Sequence, residues 1–505
     1  MAETYDVIVI GAGNAGLAAA ATAAAADMKT LMVEKNFYPG GCATSFRRGR
    51  FEFETALHEF ANVGTEENPG KIRKLFSDFG IDINWHVEDI AFRVVTEDYD
   101  VTMPVGVENF CREMEKNVPG SYESVRAVFR LSKKANDALG YLSAGQPDPD
   151  VLMTEHRDFL IMASHSVDSC LDALNMPKKA QNILNTYWAY VGAPSDRLDF
   201  LFYVIILDRY INLGPAMPTM RSHEITSALE DSIRRNGGEI WYGTKVDEII
   251  IKNGKAIGIR IGEKEILGKK IISNCHPGSS FGSLIKSEHI PQRAIKIHNS
   301  RKNGAQFFTM YIGLCKDAQS LGIKDYTLFL YDSPSSVEQY EGCSRIDTSF
   351  LMVNCLNCAI ENASCQGTSM LFFTSIFTED ILEGVSPQGY KDFKNEVAEH
   401  MIKRYEEKTG IIITPYIEEI ATSSPATFAR YINSPGGTPY GYELSLWDSM
   451  IARILNTKKE SLFGNLWFVG AHGQRSDGYN SAISNGVDVA KKAIKEIRRE
   501  GETIA

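Results

Sequence analysis

The sequence predicts an α/β protein that begins with a Rossmann-type dinucleotide-binding unit. An apolar strand, Asp6-Val-Ile-Val-Ile10, leads directly into a glycine-rich turn and then into an alanine-rich helix. In the turn, Gly11 permits a tight bend, Gly13 lets the backbone approach a diphosphate, and Gly16 lets the helix pack closely on the sheet. A second apolar strand then ends in an acid at the expected distance, which makes the glycine pattern a specific signal. The predicted nucleotide contacts in the turn are Gly11, Gly13, Ala15 and Gly16.

Glu34 restricts which dinucleotide this unit can bind. It ends the second strand, 23 positions after Gly11, where a carboxylate can accept hydrogen bonds from both ribose hydroxyls. The same carboxylate would repel a 2′-phosphate. The sequence therefore predicts NAD or FAD as the ligand, with Glu34 at its ribose.

The residues after Glu34 favour FAD through a family resemblance. Lys35-Asn-Phe-Tyr-Pro-Gly40-Gly41-Cys42-Ala-Thr44-Ser45, followed by Gly49-Arg-Phe-Glu-Phe-Glu54, resembles the flavoprotein superfamily of amine oxidases, carotenoid desaturases and GDP-dissociation inhibitors. The resemblance implies a noncovalently bound FAD, with the glycine pair beneath its diphosphate and ribityl chain. It assigns Lys35, Gly40, Gly41, Cys42 and Thr44 to the cofactor site.

Two later segments extend the resemblance over most of the chain. In the block from Arg221 to Asn274, which contains a predicted hairpin turn at Asn253-Gly254, it implies that the backbone at Val246 meets the adenine. Asn465-Leu-Trp-Phe-Val-Gly470-Ala471-His472 and Gly478-Tyr479-Asn480-Ser481-Ala482 resemble the second FAD motif. There a helix N-terminus faces the flavin and would stabilise its anionic reduced form. The implied contacts are Gly470, Ala471, Gly478, Asn480, Ser481 and Ala482.

The resemblance also implies the domain organisation. A discontinuous FAD domain of glutathione reductase type is expected from residues 1–69, 215–290 and 455–498. Residues 70–214 and 291–454 then form an α+β substrate domain with a mixed sheet and a helical cap. Apolar residues at threes and fours between 107 and 190 predict the helices. Aromatic and β-branched runs predict strands at Ala305–Ile312, Thr327–Tyr331, Ser349–Val353 and Met370–Thr374.

Among the branches of this superfamily, the phytoene desaturases, carotenoid isomerases and retinol saturases resemble the chain most. Phe51-Glu-Phe-Glu54-Thr-Ala-Leu-His58 resembles the start of the saturase group, and Pro425–Tyr431 with Gly436-Gly437 and Tyr440-Gly441 resembles a late segment of the branch. Amine oxidases usually carry arginines around the glycine pair, where this chain has Pro39 and Cys42. An amine or amino-acid oxidase, and a non-enzymatic protein of the GDP-dissociation inhibitor or lipid-binding kind, are kept as alternatives.

Composition excludes some partners and locations. The 505 residues carry a formal net charge of −11, which disfavours a nucleic-acid partner. The chain is 44% hydrophobic, and this content is enough for large cores. No signal-peptide pattern or long uninterrupted apolar stretch is present in the sequence, so we expect a cytoplasmic enzyme. Nine cysteines in such a chain suggest reduced thiols.

Apolar density between 183 and 220, including Tyr187-Trp188 and Leu201–Leu207, is the main indication of the substrate. It fits either an ordinary buried helix or the wall of an apolar tunnel for a polyene, isoprenoid or unsaturated lipid. A helix with an exposed apolar face could also contact a membrane surface peripherally.

The expected chemistry is hydride transfer at a carbon–carbon double bond, with a proton supplied by the protein. His58, Glu59 and Tyr479 are the candidate catalytic residues. His58 is favoured because an unperturbed imidazole titrates near neutrality. Saturation or isomerisation is favoured over desaturation by the saturase-like Leu57-His58. A second nucleotide-binding turn is lacking in the sequence, so NAD(P)H is expected only as a transient donor.

Four cysteines, Cys343, Cys355, Cys358 and Cys365, lie close together in the sequence and could hold zinc or an iron–sulfur cluster. Their spacing matches no defensible motif. We therefore predict separate thiols and no metal site.

Overall fold

The computed structural model describes residues 3–143, 148–348, 350–453, 463–473, 475 and 477–504. Its strands are β1 (Thr4–Ile10), β2 (Thr30–Val33), β3 (Ser45–Arg48), β4 (Phe51–Glu54), β5 (Trp85–Val87), β6 (Ile90–Val95), β7 (Asp100–Pro104), β8 (Ala216–Pro218), β9 (Glu239–Trp241), β10 (Glu248–Lys252), β11 (Lys255–Ile261), β12 (Lys264–Ser273), β13 (Gln306–Leu314), β14 (Thr327–Leu330), β15 (Leu351–Cys355), β16 (Ser369–Phe377), β17 (Ile417–Ser423) and β18 (Leu466–Phe468).

The α-helices are α1 (Asn14–Ala24), α2 (Lys71–Asp78), α3 (Val107–Asn117), α4 (Tyr122–Ser143), α5 (Pro149–Thr154), α6 (Arg157–Met162), α7 (Val167–Ala173), α8 (Lys178–Leu184), α9 (Trp188–Val191), α10 (Phe200–Leu207), α11 (Ser222–Arg235), α12 (Pro277–Ser283), α13 (Gln292–Asn299), α14 (Ala318–Leu321), α15 (Ser336–Gly342), α16 (Leu356–Ala359), α17 (Tyr390–Thr409), α18 (Pro425–Ile432) and α19 (Tyr479–Ile504). A π-helix, Asp208–Asn212, follows α10. Short 3₁₀ turns occupy Asn185–Tyr187, Ser287–His289, Thr414–Tyr416, Pro435–Gly437 and Leu446–Asp448.

The first sheet is the predicted Rossmann-type sheet. Its strand order is β10-β11-β12-β1-β2-β9, and β18 pairs with the end of β12 beside β11. Strands β12, β1, β2 and β9 run parallel, and β18 joins them in the same direction. Residues of β2 are buried throughout, as expected for a parallel strand covered on both faces. The sheet draws on three separate parts of the chain, which confirms the predicted fold class.

The domain boundaries themselves stay a prediction. Residues 4–33, 239–273 and 466–468 supply the strands of the first sheet, in keeping with the expected division. Residues 1 and 2 of the first segment and 455–462 of the third lie outside the described residues.

Small residues set the distance between the glycine turn and the helices above it. Gly11 has a φ of +94°, which favours glycine. A Cβ on Gly16 would lie 2.0 Å from the carbonyl oxygen of Gly11, and a Cβ on Gly486 would lie 2.1 Å from that of Ala15. Both glycines are therefore required for α1 to pack between the turn and α19.

The predicted hairpin at Asn253-Gly254 is present between β10 and β11. Both residues have positive φ, 50° and 71°, as two-residue hairpin turns of the I′ type require. The hairpin extends the sheet on its antiparallel side, away from the glycine turn.

The second sheet has the order β17-β13-β16-β15-β14-β6-β7. It is mainly antiparallel, with a parallel pair between β14 and β6. The four predicted strands are present as β13, β14, β15 and β16, although Ser349 lies outside the described residues. The predicted mixed sheet is confirmed.

Helices α3 to α10 form the expected helical cap on one face of the second sheet. One buried cluster joins their apolar faces to Phe92, Phe329 and Met352 of the sheet. Helix α10 is buried on every side, as predicted for an ordinary core helix. Among the described residues, no helix is both long and apolar enough to cross a bilayer.

Strand β4 packs against residues of both large sheets and positions the segment that follows it. Phe51 and Phe53 belong to a cluster that includes Val9 of β1 and Tyr311 of β13. At the end of β4, Glu54 accepts hydrogen bonds from the backbone nitrogen of Ser222 at 2.9 Å and from its hydroxyl at 2.6 Å. This contact fixes the next residues, which include His58 and Glu59, relative to the start of α11.

Candidate functional site

One cavity of about 350 Å³ links the glycine turn of the first sheet to apolar side chains of the second sheet and its cap. Gly11, Gly13 and Glu34 line it at the carboxyl ends of β1 and β2. Phe307 and Met352 line it on strands of the second sheet. A crevice at the carboxyl ends of parallel strands is the usual ligand site of such sheets.

The floor of the cavity is formed by glycine backbone rather than by side chains. Gly13 and Gly40 form a bridge between two chain segments, and the Gly40 N–H donates to the Ala12 carbonyl at 2.7 Å. A Cβ on Gly13 would lie 2.6 Å from the side-chain amide of Asn274, and one on Gly41 would lie 3.4 Å from Gly13 Cα. Gly41 also has a φ of +62°. The space above these glycines suits a diphosphate, whose oxygens need close backbone approach.

Glu34 is held by backbone on both carboxylate oxygens. Oε2 accepts from the Ala12 N–H at 2.6 Å and Oε1 accepts from the Asn36 N–H at 2.8 Å. The side chain is buried but lines the cavity. Each oxygen keeps a second lone pair, so Glu34 is oriented to accept from ribose hydroxyls.

Most predicted cofactor residues lie on the cavity wall: Gly11, Gly13, Ala15, Glu34, Lys35, Gly40, Gly41, Cys42, Val246, Gly470, Ala471, Gly478, Asn480 and Ala482. Gly16, Thr44 and Ser481 do not line it and need a different interpretation. Gly16 serves helix packing, the Thr44 carbonyl accepts from the Thr55 N–H at 3.0 Å, and the Ser481 hydroxyl donates to Asn480 Oδ1 at 3.0 Å. These three residues pack against, or hydrogen-bond to, the chain segments that line the cavity.

Cys42 is a protonated thiol at the cavity wall. Burial, assisted by the nearby Glu54 carboxyl, raises the pKa of Cys42 to about 12. A thiol is a poor nucleophile without its thiolate. The side chain therefore acts as a small apolar group next to the glycine pair.

His58 corrects the expectation of an imidazole that titrates near neutrality. Its side chain is buried, and burial lowers the pKa of His58 to about 4. Its Nε2 atom lies 2.9 Å from Thr374 Oγ1, and its ring packs near Tyr190 and Phe307. The imidazole is neutral at pH 7 and tied to β16, so the reason for favouring it as the proton donor was wrong.

Glu59 has the properties that His58 lacks. It lines the cavity with only 6% of its surface exposed. Burial, reinforced by the charge of Glu88, raises the pKa of Glu59 to about 8, although the hydroxyls of Thr327 and Tyr190 oppose the shift. Within the described structure, neither carboxyl oxygen has a hydrogen-bond partner of good geometry. Glu59 is therefore a protonated carboxylic acid at neutral pH, with its proton available.

Tyr479 is held by a backbone contact. Its hydroxyl donates to the Cys42 carbonyl at 2.8 Å, and its ring packs near Phe60 at a centroid distance of 5.9 Å. Burial raises the pKa of Tyr479 well above its usual value. The residue lines the cavity and joins the start of α19 to the glycine-pair loop, and its proton is already engaged.

The far part of the cavity is apolar. Phe202 and Ile206 lie one turn apart on α10 and line the cavity, whereas Trp188 is a core residue outside it. Helix α10 is thus a buried core helix with one face on the cavity wall, and the binding of a polyene or lipid by that face stays a prediction. The other residues of this part are Leu57, Tyr190, Val191, Tyr210, Phe307, Met352 and Tyr440.

Two residues that position the site were missed by sequence reasoning. The side-chain amide of Asn274 connects the Gly13 N–H, at 3.2 Å, to the Val469 carbonyl, at 3.0 Å. Asn485 accepts from the Gly470 N–H at 3.1 Å through Oδ1 and lies within the unbroken helix α19. The available signal in the sequence was Asn485 itself, because a polar residue on a buried helix face needs a partner.

Arg475 and the four cysteines singled out in the sequence have the following surroundings. Arg475 pairs with Asp488 at 2.7 Å. Cys343 and Cys355 are buried, Cys358 is half-buried beside Cys355, and Cys365 is exposed. In the part of the chain that the structure describes, no His, Cys, Asp and Glu side chains group as metal ligands.

Comparison with known proteins finds relatives that match most of the chain. Residues 9–79 match the model of an NAD(P)-binding Rossmann-like domain. The chain is 24% identical over 460 residues to the chloroplastic prolycopene isomerase of Daucus carota, covering 86% of this chain and 72% of that protein. It is 21% identical over 510 residues to the all-trans-retinol 13,14-reductase of Homo sapiens, covering 93% of this chain and 82% of that protein. The chain is thus similar, along most of its length, to a carotenoid isomerase and a retinol reductase.

Solved structures share the fold of this chain. An oxidoreductase from Methanosarcina mazei superposes with a TM-score of 0.64 at 17% identity, covering 96% of this chain and all of that one. Cyclohexylamine oxidase from Brevibacterium oxydans superposes with a TM-score of 0.63 at 13% identity, covering 98% of this chain and 99% of that one. At these identities the likeness describes the fold alone.

Proposed function

We propose that the protein is an FAD-dependent oxidoreductase that acts on a carbon–carbon double bond of a hydrophobic polyene, isoprenoid or unsaturated lipid. The observation that carries the proposal is the single cavity that links the glycine turn to an apolar chamber containing the neutral acid Glu59. The names of the isomerase and reductase relatives point to the same substrate class.

The cavity fits FAD at its nucleotide end. Gly13 and Gly41 border the cavity without side chains, and Glu34 is oriented for a ribose. Val246 borders the same cavity together with Thr244 and Lys245, where the adenine would lie. When bound, FAD would supply hydride transfer to or from a carbon through its N5 atom.

The chain's own groups would supply position and a proton. The apolar chamber excludes water from the substrate, and its wall residues Phe202, Ile206 and Met352 would align a rigid polyene by van der Waals contact. Glu59 would donate its carboxyl proton to the carbon adjacent to the one that receives hydride, which completes saturation of the bond. In isomerisation, the same proton returns to the Glu59 carboxylate after rotation about the weakened bond.

His58 would position Glu59. Its neutral ring is fixed to Thr374 on β16, and the Tyr326 hydroxyl donates to the His58 carbonyl. Two fixed points on the residue before Glu59 restrict where the carboxyl can lie. Such positioning keeps the acid within reach of substrate carbon.

The direction of the reaction and the electron donor stay predictions, with transient NAD(P)H expected as the donor. The predicted contact with a membrane surface and the cytoplasmic location also stay predictions.

The experiment uses FAD-loaded protein under anaerobic conditions. After reduction with dithionite, stopped-flow absorbance would follow reoxidation by all-trans-retinol, a poly-cis-carotene, an enone and buffer alone, with mass spectrometry of the products. A gain of two mass units indicates saturation, and an unchanged mass with a new isomer indicates isomerisation.

Oxidised protein mixed with cyclohexylamine and putrescine provides the contrasting arm. Bleaching by an amine, together with inert polyenes, would identify an amine oxidase and overturn the proposal. FAD that responds to neither class, with every polyene recovered as the starting isomer, would favour a non-enzymatic flavin-binding protein. Heat denaturation should release the flavin into the supernatant, because Cys42 is a protonated thiol.

A further inference from the structure

Two histidines next to the glycine turn have buried nitrogen atoms that the fold leaves without a partner. His276 and His472 both line the cavity and are only 5% and 6% exposed. Within the described residues, the Nε2 atom of each makes no hydrogen bond. Their ring centroids are 5.5 Å apart. Buried polar atoms are nearly always hydrogen-bonded, so this pair indicates a ligand.

The sheet places both histidines at its ligand-binding edge. His276 follows the end of β12 and His472 follows the end of β18, two neighbouring parallel strands in which Ser273 pairs with Phe468. Ile10, the last residue before the glycine turn, pairs with Ser273 on the other side. The histidines and the glycine turn therefore extend from adjacent strands in the same direction.

Close contacts connect the pair to the turn itself. A Cβ on Gly470 would lie 3.1 Å from both the side-chain amide of Asn274 and Cε1 of His472, and one on Gly13 would lie 2.6 Å from the same amide. Only the Asn274 side chain thus separates His472 from Gly13. The phosphates that Gly13 admits would come within reach of the imidazoles.

The hydrogen bonds of His276 define its donor atom. Nδ1 accepts from the Gly278 N–H at 3.1 Å, so the proton of the neutral ring resides on Nε2. Burial, with His298 and Arg301 nearby, lowers the pKa of His276 to about 3. Burial, with His276, Arg301 and Arg453, lowers the pKa of His472 well below its usual value. Both rings are neutral donors at pH 7 in surroundings that favour an anion.

Other cations near these histidines are already paired. Arg301 and Arg453 both contact the buried Asp448 carboxylate at 3.0 Å. At the glycine pair, position 42 is a protonated cysteine rather than a cation. Hydrogen bonds from the neutral histidines would therefore stabilise phosphate oxygens on this side without adding a charge.

We infer that His276 and His472 donate their Nε2 hydrogens to the diphosphate of the bound dinucleotide. The inference rests on the proposed dinucleotide site, but it does not depend on the reaction catalysed there. It assigns phosphate recognition to two uncharged side chains, of which only His472 lies in a segment that resembles a family motif.

The test measures binding of ADP and adenosine to the flavin-free full-length protein by isothermal titration calorimetry. His276→Ala and His472→Ala should each weaken ADP binding about 10-fold to 100-fold, because hydrogen bonds to charged groups have that strength. Adenosine, which lacks phosphate, should bind the variants within about twofold of wild type. His276→Gln should recover part of the ADP affinity, because its amide can donate from a similar position.

His400→Ala is the matched control. His400 also has a buried Nε2 without a partner in the described structure, but it lies on α17 and does not line the cavity. Its variant should bind both ligands like wild type. Equal losses for ADP and adenosine, or no loss for either, would overturn the inference; an unstable alanine variant is replaced by the glutamine variant in the same comparison.

The controls separate this inference from the proposed function. A wild-type protein that binds neither ADP nor adenosine would overturn both the dinucleotide site and the histidine contacts. Selective loss of ADP binding in a protein that leaves every polyene unchanged would uphold the histidine contacts and overturn only the proposed reaction.

Discussion

The Nε2 atom of His58 lies 2.9 Å from Thr374 Oγ1, which joins the segment after β4 to the middle of β16. Thr374 Oγ1 lies in turn 3.1 Å from Thr309 Oγ1 on β13. A short row of buried polar groups thus connects the residue before Glu59 to two strands of the second sheet. The position of the acid is set by a part of the chain more than 300 residues away.

We predict that His58→Ala keeps its flavin but loses about 1 to 3 kcal/mol of unfolding free energy, because Thr374 is left without this partner. Its rate should fall with an unchanged pH profile between 6 and 8, since the imidazole is already neutral there. Thr374→Val should show the same pattern. Urea unfolding and stopped-flow rates would test this; loss of a titration near pH 6.5 would instead show that His58 transfers the proton.

Glu59→Gln should reduce the rate of substrate-dependent reoxidation by about 10²-fold to 10⁴-fold while FAD binding is kept, because the amide cannot donate a carboxyl proton. In wild type the same rate should fall as the pH rises through about 8, where the acid is deprotonated. Glu88→Gln is the comparison variant: Glu88 does not line the cavity, but its charge helps raise the pKa of Glu59. This variant should keep the rate at pH 6 and lose it at a lower pH than wild type does. Normal turnover by Glu59→Gln would remove Glu59 from the reaction.

The same substitution should stabilise the protein in alkaline solution. An unfolded Glu has a pKa near 4.3, whereas burial raises the pKa of Glu59 to about 8 in the folded protein. Between these values the folded state binds the extra proton, so stability is present at low pH and decreases as the pH rises. Glu59→Gln removes this penalty, and its unfolding free energy at pH 8 should exceed that of wild type by about 4 to 5 kcal/mol. Urea unfolding at pH 5 and pH 8 measures the difference; an equal effect at both values would contradict the buried acid.

Gly13→Val and Gly41→Val should abolish FAD binding while the second sheet stays folded. A side chain at Gly13 meets the Asn274 amide at 2.6 Å, and Gly41 adopts a positive φ at the cavity floor. Gly254→Val is the matched control, because Gly254 has a φ of +71° but a Cβ there would meet nothing within 4 Å. It should lose stability without losing FAD. Flavin content per protein, from absorbance, is the measurement, and full flavin in either cavity variant would show that the diphosphate lies elsewhere.

Local chemistry explains which features the sequence could predict. The turn at Gly11 and the hairpin at Asn253-Gly254 depend on φ angles that few residues other than glycine and asparagine adopt. The acid at Glu34 follows from its distance along one strand–helix–strand unit. Each of these signals is contained within a few dozen residues, so one sequence is enough to read it.

The errors arose where distant residues decide the chemistry. His58 was assigned an ordinary titration because nothing near it in sequence shows that Thr374 and Phe307 enclose it. Glu59 keeps its proton because burial among residues of several elements raises the pKa of its carboxyl group. His276 was not assigned to the cofactor, because only the pairing of β12 with β18 brings it beside His472, which the second FAD motif already contains. Burial is a property of the assembled chain, and sequence patterns indicate it only indirectly.

The position of β18 has a consequence for how the protein matures in the cell. Ribosomal synthesis delivers the glycine turn first, but Gly470, His472 and α19 belong to the same cavity and come more than 400 residues later. At typical elongation rates of about 5 to 20 residues per second, the nascent chain waits tens of seconds before that wall exists. Under the proposed function, loading of FAD would therefore follow translation, and newly made protein would accumulate without flavin whenever flavin supply lags behind synthesis.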